Sequence, residues 1–445
     1  MKMNLQYCAI FAGFLLSFTL VASAQDKVYT LEDAYRAALG SNETVNIAEE
    51  DVSQSESRLD QAGTYFYPRL VANSAYTRFN ETLPSSGGPF LFQPTEQFQA
   101  ALVLTQPLYT GGRTLAALRA AKQLREASRD SLSVTKQDTL LKTAEAYYGV
   151  LKAQKSIEIN RHALERMEHH KQVTEREAAT RKTKTNVSSL LRANTLVSQA
   201  RINLIRAQDR LKVARERLSL LTRLPKDALV SEPVSADQPG ETLETLQTTA
   251  LNTRDDYAGS KLSQSIASEN VTIVKGAHHP QIYAEAGVSY QDSHPALITD
   301  AKGVYYGGFR LQVPIFEGGL MKAEVSEANS KVRQAQLTTD FLRKSIESEV
   351  QEAYVNLETV SSVLDTAKLQ LDYAKGNFDA VEGLFAQGLA PSLSLIDAEQ
   401  ALDQAENELM NAGYDRQMAI LKLKKSIGML RSDNSETRVS TLMNP

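Results

Sequence analysis

Polar and apolar residues along this chain fall into two periods, and they switch from one to the other twice. Short runs alternate strictly. Ile282, Ala284, Ala286, Val288 and Tyr290 interleave with Gln281, Tyr283, Glu285, Gly287, Ser289 and Gln291, and Phe309, Leu311 and Val313 interleave with Arg310 and Gln312. Phe98, Ala100, Leu102 and Leu104 give one apolar face in the first half, whereas 70–79 alternates poorly. A period of two predicts strands with one apolar and one polar side.

Each strand region hands over to a run with helical periodicity. From Val325 to Phe385 the spacing alternates between three and four through Val325, Ala328, Val332, Ala335, Thr339, Leu342, Ile346, Val350, Ala353, Leu357, Val360, Leu364, Ala367, Leu371, Ala374, Phe378, Val381 and Phe385. Only Thr339 is polar, and only Leu342-Ile346-Val350 breaks the alternation, with two fours in a row. This is a coiled-coil seam on the order of 90 Å long at the helical rise. The other faces are dense in Gln, Glu, Asp, Lys and Ser, which predicts a helix packed on neighbours with water on two sides. A run at 113–179 is as long but less regular. Breaks near Arg181–Thr185 and Gly388–Pro391 lead into second helical runs at 187–223 and 392–430, so two helical hairpins are expected.

The handover points are themselves alike. Gln106-Pro107-Leu108-Tyr109-Thr110-Gly111-Gly112 and Val313-Pro314-Ile315-Phe316-Glu317-Gly318-Gly319 each place a proline, which cannot donate a ladder hydrogen bond, before a glycine pair that lets the backbone turn. The likeness extends along the chain. Leu31-Glu32 through Leu39 matches Leu243-Glu244 through Leu251, and Pro68 matches Pro280, at an offset of 212. Pro107 and Pro314, and Glu145-Ala146-Tyr147 and Glu352-Ala353-Tyr354, sit 207 apart; Leu190-Leu191 and Leu395-Ile396, with Gln199-Ala200 and Gln404-Ala405, sit 205 apart. The order is colinear, which indicates an internal duplication of about 200 residues, too long for a solenoid unit.

Composition narrows the setting. Lys2 opens a short positive region, Ala9 to Ala22 is apolar apart from Ser17 and Thr19, and Ala22-Ser23-Ala24 supplies a cleavage site, so 1–24 reads as a secretory signal. Cys8, the single cysteine, lies inside it, leaving an expected mature chain from Gln25 without thiol, disulfide or lipid anchor. A net charge of −4 argues against a nucleic-acid partner. No later stretch approaches the ~20 apolar residues of a membrane helix, so any membrane entry is by strands. The strands alone suit a membrane barrel and a soluble antiparallel sheet equally. Aromatics at their ends (Tyr65, Phe66, Tyr67, Tyr109, Tyr305, Tyr306 and Phe316) match interfacial girdles. Four strands cannot close a barrel, so the membrane reading requires several copies.

Catalytic signatures are missing: there is no His-Glu-x-x-His, no Walker lysine loop and no Gly-x-Ser-x-Gly. No enzyme activity, metal or cofactor is expected. His162, His169 and His170 on a charged helix, and His278-His279 before Pro280, read as solvent-facing histidines.

The two Pro-aromatic-Gly-Gly junctions, the duplicated strand–strand–long-helix order, and Phe385-Ala-Gln-Gly388-Xaa5-Ser394-Leu395-Ile396-Asp397-Ala398 resemble the TolC-like outer membrane efflux protein family over nearly the whole mature chain. The resemblance implies a mixed α/β membrane protein: a homotrimer whose β-barrel, four strands per chain, spans the outer membrane and continues into an α-helical coiled-coil barrel in the periplasm, built from two structural repeats. It implies a passive exit duct with a periplasmic adaptor, an inner-membrane transporter and outer-membrane lipids as partners. The expected layout is a signal at 1–24, periplasmic helices at 25–67, strands and loop at 68–107, a hairpin at 108–223 and a linker at 224–241. The second repeat follows as helices at 242–279, strands at 280–314 and a hairpin at 315–430, with a tail at 431–445.

By the same resemblance Pro68, Pro107, Gly111, Gly112, Pro280, Pro314, Gly318 and Gly319 form the barrel–tunnel junction. Gly388, Leu389 and Pro391 form the tip of the second hairpin, and Asp397 lies at the pore aperture. Ser394 occupies the family's other usual aspartate position, so a double acidic ring is not expected. In the first hairpin the offset puts Thr183 at the glycine position and Arg192 at the acidic one, and Arg181, Lys182 and Lys184 make that tip basic. Both tips are candidate adaptor contacts. A periplasmic coiled-coil adaptor or scaffold without a pore is the alternative from another class.

Overall fold

A computed structural model describes residues 28–81, 83–84, 91–180, 184–233, 240–297, 300 and 302–431. The signal at 1–24, the tail from 432, and Arg181, Lys182 and Thr183 lie outside the described residues. Sixteen elements are described. In the first half these are β1 (Val28–Tyr29), α1 (Leu31–Ser41), α2 (Glu43–Thr64), β2 (Arg69–Arg78), β3 (Leu83–Pro84), β4 (Leu91–Gln93), β5 (Glu96–Tyr109), α3 (Arg113–Thr180), α4 (Lys184–Thr222) and β6 (Leu229–Val230). In the second half they are α5 (Leu243–Thr253), α6 (Asp255–Ala277), β7 (Gln281–His294), β8 (Val304–Gln312), α7 (Leu320–Ala386) and α8 (Ser392–Ser426).

The helices form a wall four wide at every level. In the half nearer the sheet the neighbours are α2–α3–α6–α7; in the far half they are α4–α3–α8–α7. The two long helices, of 68 and 67 residues, run the full height, and shorter helices stack end to end beside them. The seam explains why α7 stays in line. Its eight buried residues (Ala328, Thr339, Ile346, Val350, Leu357, Ala367, Phe378 and Phe385) are all seam positions, and none of the other ten is exposed.

Stacked helices meet at a break that both halves make the same way in backbone and differently in side chains. Asn42 ends α1 and starts α2 with φ −77° and ψ 127°, and Arg254 ends α5 and starts α6 with φ −76° and ψ 121°. The Asn42 side chain accepts from the Thr44 backbone N–H at 2.9 Å, an N-cap, and its amide reaches the Leu221 carbonyl at the end of α4. Arg254 has no cap to offer. Its buried guanidinium instead donates to Asp256, to Glu349 at 2.7 Å and to the Ser426 carbonyl at the end of α8 at 3.0 Å. Either way the orphan carbonyls of one helix are satisfied by the start of the next.

The main sheet is antiparallel in the order β2–β5–β7–β8. This is the helix order again, because α2 leads into β2, β5 into α3, α6 into β7 and β8 into α7. The register sorts the side chains by face. Leu70–Leu104–Ala286–Gly307 and Ala72–Leu102–Val288–Tyr305 run straight across all four strands. Phe98, Tyr290, Phe309 and Leu311 lie on the same face, where Phe309 is 80% exposed. The opposite face carries Arg69–Thr105–Glu285–Gly308 and Asn73–Ala101–Ser289, with a 2.5 Å ion pair from Arg310 to Glu285. Poorly alternating 70–79 is held in register by β5 rather than by its own pattern.

One expectation fails locally. Pro107 does not end β5; the strand continues to Tyr109 through a register shift that leaves Leu108 unpaired with β7. Pro314 does follow the end of its strand, β8. The short parallel pair β1–β6 has no counterpart in the sequence reading; it lies beside α3, where the Tyr147 hydroxyl sits 2.9 Å from the Tyr29 carbonyl and 2.6 Å from that of Ser231. With α1 it covers one side of the wall over Leu140, Ala144 and Tyr148. Among the described residues no helix is long and apolar enough to cross a membrane.

Candidate functional site

The tip of the second hairpin turns at Gly388, whose φ of +74° suits a residue without a Cβ. Its N–H donates to the Phe385 carbonyl at 2.9 Å, and that of Leu389 to Leu384 at 2.9 Å, closing the end of α7. Leu389 is exposed, and Pro391 is the residue before α8. Across 395–399, Leu395, Ile396, Ala398 and Glu399 are buried and Asp397 alone is exposed; Ser394 is half-buried. Helical spacing puts Asp397, Gln404, Glu408 and Asn411 on one face of α8. The opposite face, with Glu406, Leu409, Gly413 and Gln417, lines a 540 Å³ groove bordered by Glu232 and Pro233, just past β6. Asp397 therefore belongs to the bare side of the wall. Of the basic residues at the first tip, Arg181, Lys182 and Lys184, only the backbone of Lys184, the first residue of α4, is described. Arg192 is exposed on the same helix.

The structure adds a cluster that the sequence reading missed. Arg166 of α3 donates to Asp403 and, at 3.4 Å, to Glu406 of α8. Glu399, one turn before Asp403, is 2% exposed, and its Oε2 has no hydrogen-bond partner among the described residues. Burial first, then the neighbouring Asp403 carboxylate, pushes the Glu399 carboxyl up to about 7 against the pull of Arg166. Asp403 is raised mainly by burial too. One turn from Arg166, His170 is buried rather than solvent-facing: its Nε2 lies 2.9 Å from the Ser392 hydroxyl, and its ring packs edge-on against Phe385 at 5.4 Å. Burial, and then His169, lower its pKa, so it is neutral at pH 7. Acidic residues at i, i+4 and i+7 of α8 and Arg166 with His170 at i and i+4 were visible in sequence, but nothing there pairs α3 with α8.

At the other end, Gly111, Gly112, Gly318 and Gly319 all have positive φ, from 61° to 91°. Gly111 is also crowded: a Cβ there would lie 2.3 Å from the Gly276 carbonyl oxygen. His278 again contradicts the solvent-facing expectation, with Glu317 2.8 Å from Nδ1 and Glu324 2.9 Å from Nε2. It ties the end of α6 to the start of α7. His162 and His169 are exposed as expected. Pro68 and Pro280 each lie just before the first residue of a strand, β2 and β7. Exposed Tyr65, Tyr67, Tyr109, Ile315 and Phe316 ring this end of the sheet. Among the described residues no group of His, Cys, Asp and Glu could hold a metal ion.

The chain is 24% identical over 448 residues to the outer membrane protein TolC of Escherichia coli K12, covering 96% of this chain and 87% of that protein. It is 26% identical over 310 residues to the alkaline protease secretion protein AprF of Pseudomonas aeruginosa, covering 66% and 62%. In structure it matches the Campylobacter jejuni CmeC outer membrane channel with a TM-score of 0.79 at 16% identity, over 92% of this chain and 88% of that one. The family model described as "Outer membrane efflux protein" matches residues 34–222 and 246–429, nearly everything between α1 and the end of α8. The chain thus belongs to the outer membrane efflux protein family.

Proposed function

We propose that the chain is the outer-membrane exit duct of an efflux or type I secretion system, passively conducting what an inner-membrane transporter delivers through a periplasmic adaptor. The observation that carries this reading is the sheet: one face apolar and exposed across four strands, the other polar and ion-paired, joined without interruption to a helical wall. A soluble adaptor would not leave Phe309, Leu311, Ile315 and Phe316 in water.

The duct is a homotrimer. The outer edges of β2 and β8 have no partner strand among the described residues, and the flanking helices α4 and α7 carry exposed stripes, Leu191, Ile202, Ile205 and Leu220 on one and Leu337, Phe341, Val355 and Tyr373 on the other. A head-to-tail ring of copies pairs these edges and flanks, and three copies give a barrel of the size the family resemblance implies. The side bearing β1, β6 and α1 is then the outside. Asp397 faces the lumen near the tips, where Gly388, Leu389 and Pro391, with the basic first tip, meet the adaptor.

The test is fractionation followed by recording. The protein is expected in outer membranes, with heat-modifiable migration in detergent, and in bilayers as a cation-preferring channel whose preference falls in Asp397→Asn. Recovery as a soluble protein after osmotic shock overturns the duct; unchanged selectivity in Asp397→Asn removes only that residue from the aperture.

A further inference from the structure

The bare side of the wall holds a groove of about 990 Å³ whose charge the duct reading leaves unexplained. Its floor is the face of α3 turned away from Tyr147, where Ala146, Gly149 and Ala153 keep the helix surface low. Its walls are α4 and, through Asn407, Met410 and Asn411, α8. Five cations line it: Lys142, Lys152, Arg206, Arg210 and Arg217. The two acids present are already engaged, Asp209 with Lys212 at 3.0 Å and Glu145 with Lys422 at 3.9 Å. Lys152 has a distant contact with Asp415 at 3.9 Å. Lys142, Arg206, Arg210 and Arg217 form no ion pair among the described residues. Exposed Val213 lies between Arg210 and Arg217, and exposed Leu220, one turn beyond Arg217, borders the groove.

Unpaired guanidinium groups spaced one and two turns apart, with aliphatic side chains between them, match a ligand that is anionic at its edge and apolar in its body. The groove adjoins the flank assigned to the next copy and shares only Leu220 with it, because Arg206, Arg210 and Arg217 lie about a quarter turn around α4 from Ile202 and Ile205. We infer that this groove is a lumenal binding site for amphiphilic organic anions, a basic belt midway along the duct that holds such solutes in transit between the Asp397 aperture and the barrel. The lumenal position rests on the duct reading; the affinity does not.

The probe is 8-hydroxypyrene-1,3,6-trisulfonate, with binding followed by fluorescence anisotropy on the purified full-length protein in a non-ionic detergent and by block of single-channel current. The wild type is expected to bind the dye with an affinity that falls with salt, and to be blocked by it. Replacing Arg206, Arg210 and Arg217 together by Gln is expected to weaken binding and block about tenfold, the scale of removing three partly screened ion pairs. Arg201→Gln, on the same helix but paired with Glu168, leaves both unchanged. Equal affinity in the triple variant overturns the site. So does a triple variant that falls apart into monomers which still bind the dye, since the groove would then be a subunit contact. A protein that forms no channel yet loses dye affinity in the triple variant retires the duct and keeps the site.

Discussion

The two halves of the chain place equivalent elements at equivalent heights, yet they stabilise them differently, and in the far half α8 is more deeply embedded than its counterpart α4. Hairpin α7–α8 packs on α3 as well as on itself, so Glu399 and Asp403 of α8 are drawn into a shared interior with Arg166. The corresponding positions of α4, Asn194 and Ser198, are exposed. At the barrel end the relation is reversed. Gly111 of the first glycine pair is wedged against the end of α6, whereas the second pair stands clear and is tied in by His278 instead. A shared backbone geometry therefore does not fix which residues are indispensable. Packing around each copy does.

The widest gap should appear between the glycine pairs. Gly111→Ala adds a Cβ against backbone in a left-handed conformation and is expected to cost about 3–5 kcal/mol, whereas Gly319→Ala, with open space around it, pays only the left-handed term of about 1–2 kcal/mol. Thermal unfolding followed by circular dichroism separates them; equal losses would mean that conformation alone governs both junctions.

Next in size is the pH response of the buried tip. A carboxyl raised to about 7 binds its proton more tightly in the folded state than when unfolded. Its penalty is therefore absent below the ordinary carboxylate range, grows as pH rises from there, and is complete above about 7. Glu399→Gln should stabilise the protein by roughly 2–4 kcal/mol at pH 8 and by little at pH 4, while Asn194→Asp on the exposed counterpart helix shifts nothing. Parallel stability curves for wild type and Glu399→Gln would sink the idea of a buried ionised group. His170 acts in the opposite sense: it is buried neutral, and the stability that depends on this is lost as pH falls through the ordinary histidine range.

The smallest difference lies where α4 and α8 end. Gly428 leaves α8 at φ +71°, and its counterpart Arg223 leaves α4 at φ +54°, a left-handed position held by a side chain. Arg223→Gly is expected to stabilise by no more than about 1 kcal/mol, since glycine removes the steric cost but widens the unfolded ensemble. The ion pair it gives up, to exposed Glu43, is screened by water. A loss of stability would show that this pair holds the α4–α2 junction.

By itself the sequence determined the long elements and their order, though not the short strands β1, β3, β4 and β6. Period-two runs, a sixty-residue heptad seam and the repeated Pro-Gly-Gly junctions are local signals, set by backbone sterics and by the face each side chain must bury, so they survive without knowledge of any neighbour. The seam in particular names the buried face of α7 residue by residue. Only the tertiary structure decided what meets what. The register joining β2, β5, β7 and β8 into one two-faced sheet, the contact of α3 with α8 that buries His170 and Glu399 and half-buries Asp403, the capture of His278 between Glu317 and Glu324, and the unpaired arginines lining one groove all depend on residues far apart in the chain. Burial, charge pairing and pKa are properties of surroundings. A single periodic helix carries its own pattern but not the identity of the surface across from it.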